Sequence, residues 1–119
     1  MKKVNTVKRN IEFNRIIKDN KPFKYKNYII YVERKQNDNY HFGLSVGKKI
    51  GNAVTRYKYK RRLRNIIDKK SYPNNFNCII IVTKGILDIS YKEMEEDLLK
   101  AFEILKLTKE SNWWKKRYW

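Results

Sequence analysis

The chain has 119 residues, with 29 Lys and Arg against 12 Asp and Glu, giving a formal net charge of +17. That length supports one domain, spanning 1–119, whose core buries roughly two thirds of the unfolded surface. One cysteine (Cys78) and one histidine (His41) exclude an internal disulfide and a Cys/His zinc finger, and no run approaches the ~20 apolar residues that cross a bilayer. A charge of this size attracts polyanions. The 14% aromatic content is too high for a simple basic tail. The expectation is a reduced, cytoplasmic protein with a polyanionic partner and no membrane partner. The basic start "MKKVNTVKRN" is followed by no apolar signal core.

Asn10 can cap a first helix, in which Phe13, Ile16 and Ile17 share one face at i, i+3 and i+4. Residues 18–22 break it. "YIIYVE" (28–33) reads as a strand, with Tyr28, Ile30 and Val32 on one face and Ile29, Tyr31 and Glu33 on the other. "KQNDN" (35–39) is a polar turn. "YHFGLSV" (40–46) is a second strand, Phe42, Leu44 and Val46 inward and His41, Gly43 and Ser45 opposite. The two runs suggest an antiparallel hairpin.

Gly51-Asn52 then opens a helix with Asn52 as its cap, and Tyr59, Leu63, Ile66 and Ile67 form an inward stripe. Between Lys48 and Arg64 lie eight basic residues and no acidic one. An ordinary solvated face mixes signs, because like charges at i,i+4 destabilise a helix and opposite ones support it. The counter-charge is therefore expected from outside the fold, and nucleic acid phosphates are the leading candidate. Lys48 and Lys49 lie at the entry to this helix, where free N–H groups favour anions.

"YPNN" (72–75) is a turn and "FNCIIIVT" (76–83) a buried strand holding an inert Cys78. Strand, helix and strand in succession suggest a βαβ unit. "SYKE" (90–93) is a capping box opening an amphipathic helix with Tyr91, Met94, Leu98, Phe102 and Leu105 on one side. Its acids Glu93, Glu95, Glu96 and Asp97 suit the helix dipole better than a metal. The tail "NWWKKRYW" (112–119) is aromatic and basic. Phe13 and Tyr31 could add rings to a basic groove, a combination suited to single-stranded nucleic acid. No acid/base pair, triad or metal cage is evident, so the chain reads as a binding protein.

The stretch "GLSVGKKIGNAVTRYKYKRRLR" resembles the central motif of the bacterial ribonuclease P protein family, approximately G-L-S-V-x-K-K-x-G-x-A-V-x-R-N-R-x-K-R-x-x-R. Gly43, Leu44, Ser45, Val46, Lys48, Lys49, Gly51, Ala53, Val54, Arg56, Lys60, Arg61 and Arg64 match it. Four positions depart from the pattern. Tyr57 and Lys58 stand for Asn and Arg, Ile17 for a second Phe, and Asn20 for a Gly after the first helix, where Asn tolerates left-handed geometry.

The resemblance implies an α+β fold, a two-layer α/β sandwich of the ribosomal protein S5 domain 2-like kind. Its sheet would have about four strands, with "KPFKYK" (21–26) a candidate for the fourth, and a left-handed crossover against the usual rule. It implies a protein subunit that assists RNA-catalysed removal of the 5′ leader from precursor tRNA, with Mg²⁺ held mainly by the RNA. The partners implied are ribonuclease P RNA and precursor tRNA, the protein being monomeric outside the holoenzyme. By the same resemblance Lys48, Lys49, Asn52, Arg56, Lys58, Lys60, Arg61 and Arg64 bind the RNA subunit, and Phe13, Ile17, Tyr31 and Ser45 line a cleft for the leader. The alternatives are a generic RNA-binding or ribosome-associated protein, and a protein nuclease acting alone.

Overall fold

A computed structural model describes residues 5–7, 10–35 and 39–108. The Trp-rich tail, and most of the polar turn at 35–39, lie outside the described residues. In chain order the elements are α1 (Asn10–Asp19), β1 (Phe23–Tyr25), β2 (Tyr28–Arg34), β3 (His41–Ser45), α2 (Ala53–Ile67), β4 (Phe76–Val82) and α3 (Tyr91–Leu105). Short 3-10 turns at Lys48–Ile50 and Lys84–Asp88 lead into the last two helices. The fold is α+β, with a mixed four-stranded sheet flanked by helices, as the resemblance implied.

The sheet order is β1-β2-β4-β3, which corrects the expected hairpin between "YIIYVE" and "YHFGLSV". Those strands do run in opposite directions, but β4 lies between them, antiparallel to β2 and parallel to β3. The reason is the composition of β4. Its residues Phe76, Asn77, Cys78, Ile79, Ile80 and Val82 are all buried, and a strand covered on both faces belongs at the sheet centre rather than an edge. The hairpin that does form joins β1 to β2 through a two-residue turn with Lys26 at φ 53°. The fourth strand is thus the "KPFKYK" segment.

One face of the sheet carries the main core. Tyr28, Ile30, Phe42, Cys78 and Ile80 meet Tyr59, Leu63, Ile66 and Ile67 of α2 and Met94, Leu98 and Phe102 of α3. The stripe expected on α2 is the stripe that is buried. Many rings are consumed here: Phe42 lies 5.0 Å from Tyr72, 5.5 Å from Phe76 and 5.7 Å from Phe102. Tyr72, read only as part of a turn, is buried and its hydroxyl donates to the Ile67 carbonyl. Cys78 is fully buried, and desolvation pushes its thiol pKa far up, so it stays protonated.

The helix ends follow their local chemistry. Asn52 Oδ1 accepts from the Thr55 N–H and Ser90 Oγ from the Glu93 N–H, so both expected caps form. Asn10 is already helical, so it is not the cap of α1. Asn20 does not adopt left-handed backbone; its side-chain amide donates to the Ile16 carbonyl and closes α1 from within. Arg34 donates to the Leu105 and Lys106 carbonyls at the end of α3.

The second sheet face bears α1. Ile16 and Ile79 are fully buried there, outside the main core cluster. At the outer edge of β3 the segment 5–7 adds a partial strand: Thr6 bridges Phe42, Val7 donates to the Phe42 carbonyl, and Asn5 donates to the Tyr40 carbonyl. This covers an edge otherwise open to strand pairing.

Candidate nucleic-acid interface

The first surface is the outer face of α2. Burying Tyr59, Leu63, Ile66 and Ile67 forces the opposite side of a 15-residue helix toward solvent. Val54, Tyr57, Lys58, Arg61 and Asn65 form its most exposed line, with Arg56, Lys60, Arg62 and Arg64 half-buried on the flanks. Among the described residues, none of these cations, nor Lys48 or Lys49, enters an ion pair. Arg62 differs from its neighbours. Its guanidinium lies 5.3 Å from the Tyr59 ring and 5.8 Å from the Tyr91 ring, which ties it to the α2–α3 junction. Lys69 pairs with Glu95 across the same junction. One of the four N-terminal acids of α3 is thereby accounted for structurally. Among the described residues no three His, Cys, Asp or Glu side chains gather as a metal site.

Lys48 and Lys49 are exposed on the 3-10 turn before α2. Gly51, at φ 151°, makes the bend that Asn52 then caps. Asn52 therefore already has its side-chain oxygen committed to the helix, while its amide nitrogen donates to no described residue.

The second surface is the sheet face beside α1. The strand register places Gly43, Ile79 and Tyr31 in one row and Ser45, Ile81 and Ile29 in the next. Phe13 of α1 reaches down onto the first row. A Cβ added to Gly43 would lie 2.9 Å from the Phe13 ring and 2.6 Å from Ile79 Cδ1, so only glycine lets the ring seat at this depth. Ile17 follows one turn along α1, half-buried like Phe13, Tyr31 and Ser45. All four expected cleft residues thus belong to α1 or to the sheet face it partly covers. Ser45 is three residues from Lys48, at most roughly 11 Å along an extended chain. Ser45 therefore lies close to the basic entry of α2.

A polar chain across the sheet holds α1 at this height, and none of it was anticipated from the sequence. Arg15 donates to both oxygens of Glu33 (2.5 and 3.0 Å), and Asn77 Nδ2 donates to Glu33 Oε1 (2.9 Å). Because the Asn77 nitrogen is used there, its oxygen faces His41, whose Nδ1 donates at 2.8 Å. Alternation did place Glu33, His41 and Tyr31 on one face, but nothing local pairs residue 15 with residue 33. The Arg15 hydrogen bonds, helped by the Asn77 amide, pull the Glu33 pKa down to about 2.

A depressed carboxylate pKa contributes stability that is present above its ordinary value of 4.5 and is lost as pH falls toward 2. Glu33→Gln is therefore expected to cost about 1–2 kcal/mol at neutral pH. It should also flatten the stability profile between pH 4.5 and 2. Thermal melts of both proteins across that range check this; parallel acid profiles would contradict it.

The model of the ribonuclease P family, "Ribonuclease P", matches residues 1–106. The chain belongs to the ribonuclease P protein family. A ribonuclease P protein component of Streptococcus pneumoniae is 39% identical over 114 residues, covering 94% of this chain and 93% of that protein. The structure of the Staphylococcus aureus RNase P protein is 28% identical with a TM-score of 0.76, covering 87% of this chain and 97% of that one. A Staphylococcus aureus variant, described as defective in mRNA degradation activity, is 29% identical with a TM-score of 0.78 over 88% of this chain and 91% of its own. An RNA-binding role, which that family membership supports, accounts for a helix whose cations enter no ion pair among the described residues.

Proposed function

We propose that this chain is the protein subunit of a ribonuclease P ribonucleoprotein that removes the 5′ leader of precursor tRNA. In this reading the outer face of α2, with Arg56, Lys58, Lys60, Arg61 and Arg64, lies against the phosphates of the RNA subunit. Lys48, Lys49 and Asn52 extend that contact at the helix entry. The leader, a single strand, enters the cleft of Phe13, Ile17, Tyr31 and Ser45, where rings and apolar side chains suit unpaired bases. The RNA carries the hydrolytic chemistry and holds the Mg²⁺ ions; the protein neutralises phosphate and positions the substrate, in the cytoplasm. The observation that carries this reading is the family motif lying on an acid-free helix whose cations enter no ion pair among the described residues.

The test is reconstitution with a ribonuclease P RNA and a leader-bearing precursor tRNA at low Mg²⁺, omitting each component in turn. Cleavage at the mature 5′ end should require protein and RNA together. Glu93→Gln and Asp97→Asn should leave that turnover unchanged, because these acids serve α3 and not the reaction. RNA binding without stimulated cleavage would favour a generic RNA-binding role. Cleavage by the protein alone, abolished by those substitutions, would favour a protein nuclease.

A further inference from the structure

The outermost line of α2 holds two residues that charge alone does not explain. Val54 is 79% exposed and Tyr57 61% exposed, among the most exposed large apolar side chains of the described residues. They are three residues apart, one turn on the same side. Tyr57 makes no ring contact, hydrogen bond or cation–π contact with any described residue, unlike Tyr25, Tyr28, Tyr40, Tyr59, Tyr72 and Tyr91. The core stripe of α2 is complete without it. Val and Tyr are also poorer helix formers than the Lys or Arg around them. Neither packing nor propensity therefore accounts for a ring at this position.

We propose that Tyr57, backed by Val54, is a stacking platform for an unpaired base of the RNA that lies along α2. Exposed Lys58 and Arg61 flank the ring, so one ligand must present anionic groups and a flat apolar face within a single helical turn. A nucleotide with its base out of the duplex does so; a paired base has both faces occupied. A bilayer surface fits less well, because α2 offers it two apolar residues while its apolar stripe is buried in the core. A protein partner fits less well too, since interface centres are depleted in lysine. This inference rests on the ribonuclease P reading for the identity of the RNA, not for the stacking itself.

The experiment measures affinity for ribonuclease P RNA across a salt series for the unaltered chain, Tyr57→Ala, Tyr57→Phe and Arg61→Ala. Tyr57→Ala should weaken binding roughly 5- to 100-fold without altering the slope of log affinity against log salt, since it removes stacking and no charge. Tyr57→Phe should bind like the unaltered chain. Arg61→Ala should lower the slope by about one. Tyr57→Gln, a better helix former, repeats the test should the Ala variant melt early. Unchanged affinity in both Ala and Gln variants would overturn the proposal. Equal losses in the Ala and Phe variants would do so too, because the hydroxyl and not the ring face would then be the contact. Tyr57-dependent sedimentation with phosphatidylglycerol vesicles, at unchanged RNA affinity, would replace RNA with a membrane. An unrelated structured RNA of equal length separates the two readings. Equal affinity for it would overturn the ribonuclease P assignment, while a Tyr57→Ala loss on that same RNA would still uphold stacking.

Discussion

Replacing Lys58, Lys60, Arg61 and Arg64 together by Gln is expected to weaken binding to ribonuclease P RNA by the order of 10³-fold at ~0.1 M salt, while the protein itself becomes more stable. The two effects have opposite signs for one reason. Each phosphate contact adds about 0.9 to the salt slope, so each is worth about a decade in affinity between 1 M and 0.1 M salt. Losing four should also cut the slope by roughly three to four. In the free protein the same four cations only repel. Lys58–Arg61 and Arg61–Arg64 are i,i+3 pairs and Lys60–Arg64 is an i,i+4 pair, with no acid among them. Removing these contacts should raise stability by about 1 kcal/mol in all. Filter binding across a salt series and a thermal melt read the two quantities separately. A variant that loses both affinity and stability would mean that the cations hold the fold together, and the interface would have to be sought elsewhere.

Gly43→Val is expected to damage the cleft while sparing the basic face. The added carbons would enter space held by the Phe13 ring and Ile79 Cδ1. Overpacking of that kind costs about 1–3 kcal/mol, and α1 is the element expected to yield, since Ile79 lies on β4, which backbone pairing holds on both sides. Lifting α1 withdraws Phe13 and Ile17 from the sheet face. Affinity for leader-bearing precursor tRNA in the holoenzyme should then approach that for mature tRNA, with RNA-subunit affinity unchanged. Phe13→Ala supplies the control for mechanism. If the clash is with that ring, Gly43→Val and Phe13→Ala together should cost less stability than the sum of the two, a coupling that independent sites do not show. Additive losses would place the strain on Ile79 alone and detach Phe13 from the function of Gly43.

Most of the candidate surface was legible because it depends on patterns short enough to read locally. The period of Tyr59, Leu63, Ile66 and Ile67 decides which side of α2 is buried, and therefore which side carries the cations. Alternation along β2 and β3 decides that Tyr31 and Ser45 share the face opposite the main core. The caps Asn52 and Ser90 act within one helical turn. Asn20 shows where local reading stops, since its role lay in a side-chain hydrogen bond rather than in the left-handed backbone its residue type suggested.

By itself, then, the amino-acid sequence determined the helices, three of the four strands, the faces they present and the family to which the chain belongs, the short β1 being named only as a candidate through the resemblance. Tertiary structure alone decided which elements are neighbours. β4 separates β2 from β3 because its two apolar faces need covering, and that demand is met only once the α1 layer and the α2–α3 layer are both in place. The same assembly brings Arg15, Glu33, Asn77 and His41, from four different elements, into one hydrogen-bonded row. It also seats Phe13 on Gly43. Contacts of this kind join residues far apart in the chain, and no local spacing records them, because their geometry exists only when the sheet has set its register.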